Sequence, residues 1–219
     1  MTQIEVNINY SKLLPIMGDS FKNTPLYFPL CEDSEYYNTF SNVTQCEFQK
    51  SQDKIISQVG CQWAISGYLE NRATLLKDYP QMVTEGRFYH LGIDIHSSCG
   101  TKLYAPYDCE VVISEYEEGI GNYGGMTVLK CQKSSVDTFY LLFGHLNPEK
   151  LLNIGEKLKK GEEFAEFGNM NQNGNWFYHT HLQILMPNAF SEGWVRKGYC
   201  KASEISTIGR YCPNPFLFL

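Results

Sequence analysis

Between residues about 85 and 187 the chain is a succession of short apolar runs separated by glycine and polar residues. Glu110-Val111-Val112-Ile113-Ser114 and Met126-Thr127-Val128-Leu129-Lys130 are β-branched runs of strand length. Between them, Gly119-Ile120-Gly121-Asn122-Tyr123-Gly124-Gly125 is rich in residues that tolerate tight turns. The pattern predicts further strands over 138–143 and 182–186, and two turns around a short strand over 155–162. Strands this short and closely spaced predict an all-β, mainly antiparallel architecture, a small β-sandwich or partly open barrel.

The flanks have a different texture. Residues 1–84 mix aromatic and polar side chains, with a helix predicted over Ala64 to Leu76, and are expected to form an irregular extension packed on a core of residues 85–187. Residues 188–219 form a tail ending in Pro213-Asn214-Pro215-Phe216-Leu217-Phe218-Leu219. Its apolar end is expected to dock on the core, because it would otherwise be an exposed patch.

Composition narrows the function classes. Of the 219 residues, 43% are hydrophobic, 14% aromatic and only 19% charged, which suits a packed, strand-rich protein. A net charge of -6 argues against a nucleic-acid or anionic-membrane partner. No apolar run reaches the roughly 18 residues of a transmembrane helix. Met1 to Tyr10 has neither a basic nor an apolar leader region, so the expected location is cytoplasmic, or exported by a signal-independent route. The eight cysteines show no C-x-x-C spacing and read as reduced structural thiols. The glycine-rich connection lacks G-x-G-x-x-G spacing, and no helix pattern follows it, so it does not read as a phosphate cradle.

The candidate chemistry lies in the histidines: His90, His96, His145, His179 and His181. His179 and His181 stand two apart on a predicted strand and therefore share a face. His90 and Asp94 would be about 13 Å apart on a straight strand at ~3.3 Å per residue, too far to share one ion. The chain must bend between them, and Gly92 offers a cheap place to do so. A histidine and a carboxylate from one bend, joined by a histidine from a distant strand, would make three nitrogen/oxygen ligands with a fourth position open, the pattern of catalytic zinc. His96 reads as a surface or satisfied core residue.

At these positions the chain resembles the lysostaphin/LytM-type zinc metallopeptidases. Their first motif, H-x-G-x-D followed by G-T-x-V-x-A-P-x-x-G-x-V, is matched by His90-Leu91-Gly92-Ile93-Asp94 and by Gly100 to Val111. The second, Y-x-H-L with a following glycine-spaced run, is matched by Phe143-Gly144-His145-Leu146, Ile154-Gly155 and Leu158-Lys159-Lys160-Gly161. The third, G-x-H-L-H-F-E-I, is matched by Tyr178-His179-Thr180-His181-Leu182-Gln183-Ile184. The resemblance implies a duplicated hybrid motif fold and one zinc per chain held by His90, Asp94 and His181. It further implies that His145 and His179 are the unliganded catalytic pair and that the substrate is peptide or peptidoglycan-like. A shorter resemblance, Gly67 to Arg72 and Cys212 to Pro215, is to the peptidase-like domain fused to class III aminotransferases.

The inventory is consistent with that chemistry. Zinc acidifies water to a pKa of about 7, and with no H-E-x-x-H glutamate, a histidine is suited to move the proton. The chain departs from the family pattern where small residues normally precede H-x-H. Here Asn173-Gly174-Asn175-Trp176-Phe177-Tyr178 predicts a bulkier groove wall, with Asn122, Tyr123, Trp176 and Tyr178 as groove candidates. The competing functions are an intracellular metal hydrolase with a non-wall substrate, a metal-binding module without turnover, and a sugar-phosphotransfer carrier. The last has no use for the His90–Asp94 pair.

Overall fold

The computed structural model describes residues 10–132 and 137–219. Twelve strands dominate it: β1 (Leu26–Tyr27), β2 (Ala64–Ser66), β3 (Arg87–His90), β4 (Ile93–His96), β5 (Lys102–Tyr104), β6 (Cys109–Glu117), β7 (Gly124–Gln132), β8 (Thr138–Leu146), β9 (Lys157–Leu158), β10 (Glu163–Glu166), β11 (His179–Leu185) and β12 (Tyr199–Lys201). Eight of them form one sheet in the order β1-β2-β4-β11-β8-β7-β6-β9, and β5–β10 and β3–β12 form two small ribbons. Every pairing is antiparallel except β1 with β2. The expected all-β, mainly antiparallel class is therefore observed. No helix among the described residues is long and apolar enough to cross a membrane.

The central strands are covered on both faces. Ile93, Ile95, Leu141, Phe143, Leu182 and Ile184 pack with Trp63, Met17 and Leu219 on one side. Leu142 and Leu185 pack with Val195, Cys200, Ile208 and Cys212 on the other. Every residue of β11 is buried, so the polar side chains of this strand lie on a face that is covered as well.

Two local expectations are corrected. The helix predicted over Ala64 to Leu76 is not formed: Ala64–Ser66 is strand β2, paired with β4, and only Ala73–Leu76 makes a single helical turn. Leu69 interrupts the stretch with φ 57°, a left-handed conformation that an α-helix cannot accommodate. The long helix lies instead at Gln45–Gln58, opened by a capping box between Thr44 and Glu47. Its tertiary role is set by glutamines spaced i, i+4, i+7. Gln45 and Gln49 accept from the amides of Phe177 and Tyr178, and Gln52 bonds His96. The helix thus braces the backbone that leads into β11.

Candidate metal centre

Strand parity places the site. On β4, Ile93 and Ile95 enter the core, so Asp94 and His96 face the other way. On β11, Leu182 and Ile184 enter the same core, leaving His179, His181 and Gln183 on the face of Asp94 and His96. The two strands pair with His181 opposite Asp94 and His179 opposite His96. His90 ends β3 and is brought back onto this face by the bend at Leu91-Gly92. Gly92 has a reason beyond the expected bend. A Cβ there would stand 2.5 Å from the Leu182 carbonyl oxygen and 2.7 Å from His181 Cε1, so any side chain would displace a site histidine.

His145 reaches the site by breaking parity. In a regular β8 it would share the face of Leu141 and Phe143. Instead it has φ 63°, the β7–β8 register shifts beside it, and Leu146 takes the core position. The bulge turns the imidazole toward His179, with ring centroids 4.3 Å apart. The strained backbone is held by the His145 amide donating to Tyr123 O and by the His145 carbonyl accepting from Gly168.

His90, Asp94 and His181 each offer one donor atom, and these atoms lie within 4.8 Å of one another, all three residues buried. Hydrogen bonding assigns the tautomers. His90 Nδ1 lies 3.0 Å from the Gly67 carbonyl, which can only accept, so Nδ1 carries the proton and Nε2 a lone pair. His181 Nε2 donates to Gln183 Oε1 at 2.9 Å, while the Gln183 amide nitrogen donates to Cys212 Sγ, which leaves the His181 lone pair on Nδ1. The two lone-pair nitrogens face each other at 2.8 Å, with Asp94 Oδ1 3.2 Å from one and 3.3 Å from the other. Three electron-pair donors converging without a proton among them fit a cation, and two imidazoles with one carboxylate suit zinc.

The charge balance favours the same occupant. Asp94 is held well below the usual carboxylate range: burial works against ionisation, but the Arg72 guanidinium and the surrounding imidazoles outweigh it. Burial chiefly, with Arg72 adding to it, pushes His90 down to about 3, so it stays neutral and available as a ligand. Burial likewise pushes His179 down to about 4 and His145 well below its ordinary value, the latter aided by His179 and His181. His145 Nδ1 donates to Asn173 O and His179 Nδ1 to Phe177 O, each at 2.8 Å, so both Nε2 atoms are free bases.

A cavity of about 90 Å³ opens onto these groups, lined by Asp94, His145, His179 and His181. Of the groove candidates, Asn122, Tyr123 and Trp176 line it. Tyr178 does not and is a correction: its backbone amide is bound by Gln49 of the long helix, and the cavity wall falls to its neighbours Trp176 and Phe177. Tyr123 is buried against His145 and His181, and its hydroxyl has no hydrogen-bond partner among the described residues. Trp176 is fixed by stacking on Tyr79 at 4.4 Å and by donating to Asn122 O. His96 does not line the cavity, and it is buried and hydrogen-bonded to Ser66 and Gln52. Reading from the sequence missed Arg72 as a site residue. It lies at the cavity and bonds Asp94, and its trace in the sequence is the Gly67 to Arg72 stretch.

Residues 88–190 match Peptidase family M23. Comparison with curated protein sequences gives no match. Solved structures similar to the chain include a zinc-containing peptidase from Vibrio cholerae, with 22% identity over 46% of this chain and 28% of that one, TM-score 0.38. The catalytic domain of a prophage-encoded M23 protein from Enterococcus faecalis gives 18% identity over 52% of this chain and 75% of that one, TM-score 0.39. The catalytic domain of lysostaphin from Staphylococcus simulans gives 16% identity over 54% of this chain and 79% of that one, TM-score 0.38. The chain therefore spans under a third of the Vibrio peptidase that it matches.

Proposed function

From the match of residues 88–190 to Peptidase family M23, we propose that this chain is a zinc-dependent peptidase hydrolysing an amide bond in a peptidoglycan-type or related peptide. The observation that carries this reading is the convergence of His90 Nε2, His181 Nδ1 and Asp94 Oδ1 with no proton to share. A zinc ion held by these atoms supplies a Lewis acid that polarises a carbonyl and acidifies water. His145 and His179 present free Nε2 atoms to the cavity, so one takes the proton from the attacking water and returns it to the leaving amine. In this reading Tyr123, which lines the cavity and whose hydroxyl has no partner among the described residues, donates to the carbonyl oxygen as it gains charge.

Segments outside the family match shape the substrate preference. Leu75, Met82 and Tyr199 close around the same cavity that Trp176 narrows. A cavity narrowed by these side chains accommodates a thin peptide or a small amide better than a thick cross-linked polymer. The same narrowing favours a second reading, hydrolysis of a small non-wall amide by the same groups. Metal analysis of the purified protein, with digestion of soluble stem peptides and of intact cell walls, tests both. One zinc per chain with cleavage of soluble peptides and weak activity on walls is expected. Absence of zinc after reconstitution breaks the reading, and efficient wall digestion breaks the substrate preference.

A further inference from the structure

Arg72 precedes the family match, yet its side chain is 1% exposed and bonded to a metal-ligand candidate. Its Nη1 donates to Asp94 Oδ2 at 2.5 Å. The other Asp94 oxygen, Oδ1, is the one facing His90 and His181. The two carboxylate oxygens are thus divided, one to the guanidinium and one to the donor cluster.

The guanidinium is itself anchored. Nε and Nη2 both donate to Glu70 Oε2, at 3.2 and 3.0 Å. Glu70 is buried and accepts from the amides of Gly67 at 2.6 Å and Leu30 at 3.2 Å. Burial pushes the Glu70 carboxyl up, and Arg72 with these amides works against that. The backbone ties the unit to the ligand strand: Leu69 N donates to His90 O, His90 N to Glu70 O, and Arg72 N to Phe88 O. A planar fork fixed on one carboxylate can hold a second in one orientation, as a flexible ammonium cannot. Glu70 also offsets the Arg72 charge, so orientation is gained without a net positive charge beside a cation site.

We propose that Arg72, anchored by Glu70, is a positioning residue that occupies Asp94 Oδ2 and so makes Asp94 a single-oxygen ligand. A freed carboxylate could rotate or offer both oxygens, filling the position that a substrate carbonyl or water needs. The inference rests on the zinc reading above.

The test uses the full chain with Glu70→Gln and Arg72→Met combined, a charge-balanced pair that leaves no unpaired buried carboxylate at position 70. Arg72→Lys is the conservative comparison, and Arg72→Gln carries the same readouts should the double variant not fold. Thermal unfolding checks folding, chelator competition gives zinc affinity, and the visible spectrum of the cobalt(II)-loaded protein reports coordination. The folded variants lacking the guanidinium should show an altered cobalt spectrum and zinc binding weakened about 10-fold or more, with Arg72→Lys intermediate. An unchanged spectrum with unchanged affinity in such a variant overturns the inference. Failure of the unmodified chain to bind zinc breaks the metal reading itself.

Discussion

Asp94 and His96 stand two residues apart on one face of β4, both closed to solvent, and their surroundings differ in one respect. Around His96 the donors meet acceptors. Gln52 Nε2 donates to His96 Nδ1 at 3.1 Å, His96 Nε2 donates to Ser66 Oγ at 2.6 Å, and the Ser66 hydroxyl donates to Phe28 O at 2.8 Å. The ring stacks on Phe177, and the loose atom of this cluster is Gln52 Oε1. Around Asp94, by contrast, lone pairs face lone pairs, and the Tyr123 hydroxyl across the cavity has no partner. An unsatisfied buried polar group costs about 1–3 kcal/mol, so a cluster of them marks a place that another species completes. Burial and histidine content alone do not separate the two regions; what does is that both ring nitrogens of His96 have complementary partners, whereas beside Asp94 the lone pairs of His90 and His181 face each other.

The widest separation is expected in metal binding. His90→Ala and His181→Ala should abolish zinc binding and activity, whereas His96→Gln should keep one zinc per chain. Metal analysis after dialysis decides it. Near-stoichiometric zinc in both ligand variants, or its loss from His96→Gln, would reverse the contrast. A finer division lies inside the site. His145→Ala and His179→Ala should retain zinc but lose activity by about 100-fold or more, the usual scale of acid–base assistance. If His179→Ala releases the metal and His181→Ala does not, the two histidines of β11 have their roles exchanged.

These contrasts also show what could be read from the chain beforehand. Strands β6, β7, β8, β9 and β11 and the five candidate site residues lie in contiguous motifs, where period-two alternation and glycine spacing are local signals. The features that were not legible depend on distant partners. The aim of His145 depends on a bulge opposite the stretch between Gly125 and Thr127, and strand parity alone would put it on the wrong face. The pairing of Arg72 with Asp94 joins residues 22 apart that no periodicity links. Ala64–Ser66 was expected to be helical because its apolar residues also fit a helix, and only pairing with β4 decides for strand. The Gln45–Gln58 helix lacks a strong apolar stripe, and its usable signal was the Thr44/Glu47 capping box. Gly92 was legible as a glycine with a purpose, although the purpose includes room for His181 as well as a bend.

The smallest expected effect sharpens the comparison through acid. Burial chiefly, partly opposed by Asp94, holds His96 well below its ordinary 6.5, and His90 and His179 are likewise pushed down, to about 3 and about 4. An unfolded histidine takes up a proton as pH falls through about 6.5, whereas these folded ones do not until far lower. The unfolded state therefore gains protons first, and stability falls as pH drops below about 6.5, by up to about 1.4 kcal/mol per pH unit for each such group. Bound zinc adds a pH dependence of its own at the ligand histidines. His96 holds no metal in this reading, so its own share should persist in the zinc-loaded protein. His96→Gln should be less stable at pH 7, by about 1–3 kcal/mol, because the bonds to Ser66 and Gln52 are disturbed. It should also lose less on going from pH 7 to pH 5, by about 1–2 kcal/mol relative to the unmodified chain. Urea unfolding of both zinc-loaded proteins at the two pH values measures the difference. Parallel losses would mean that His96 accepts its proton while folded, and that its two ring nitrogens are not both held as the hydrogen bonds describe.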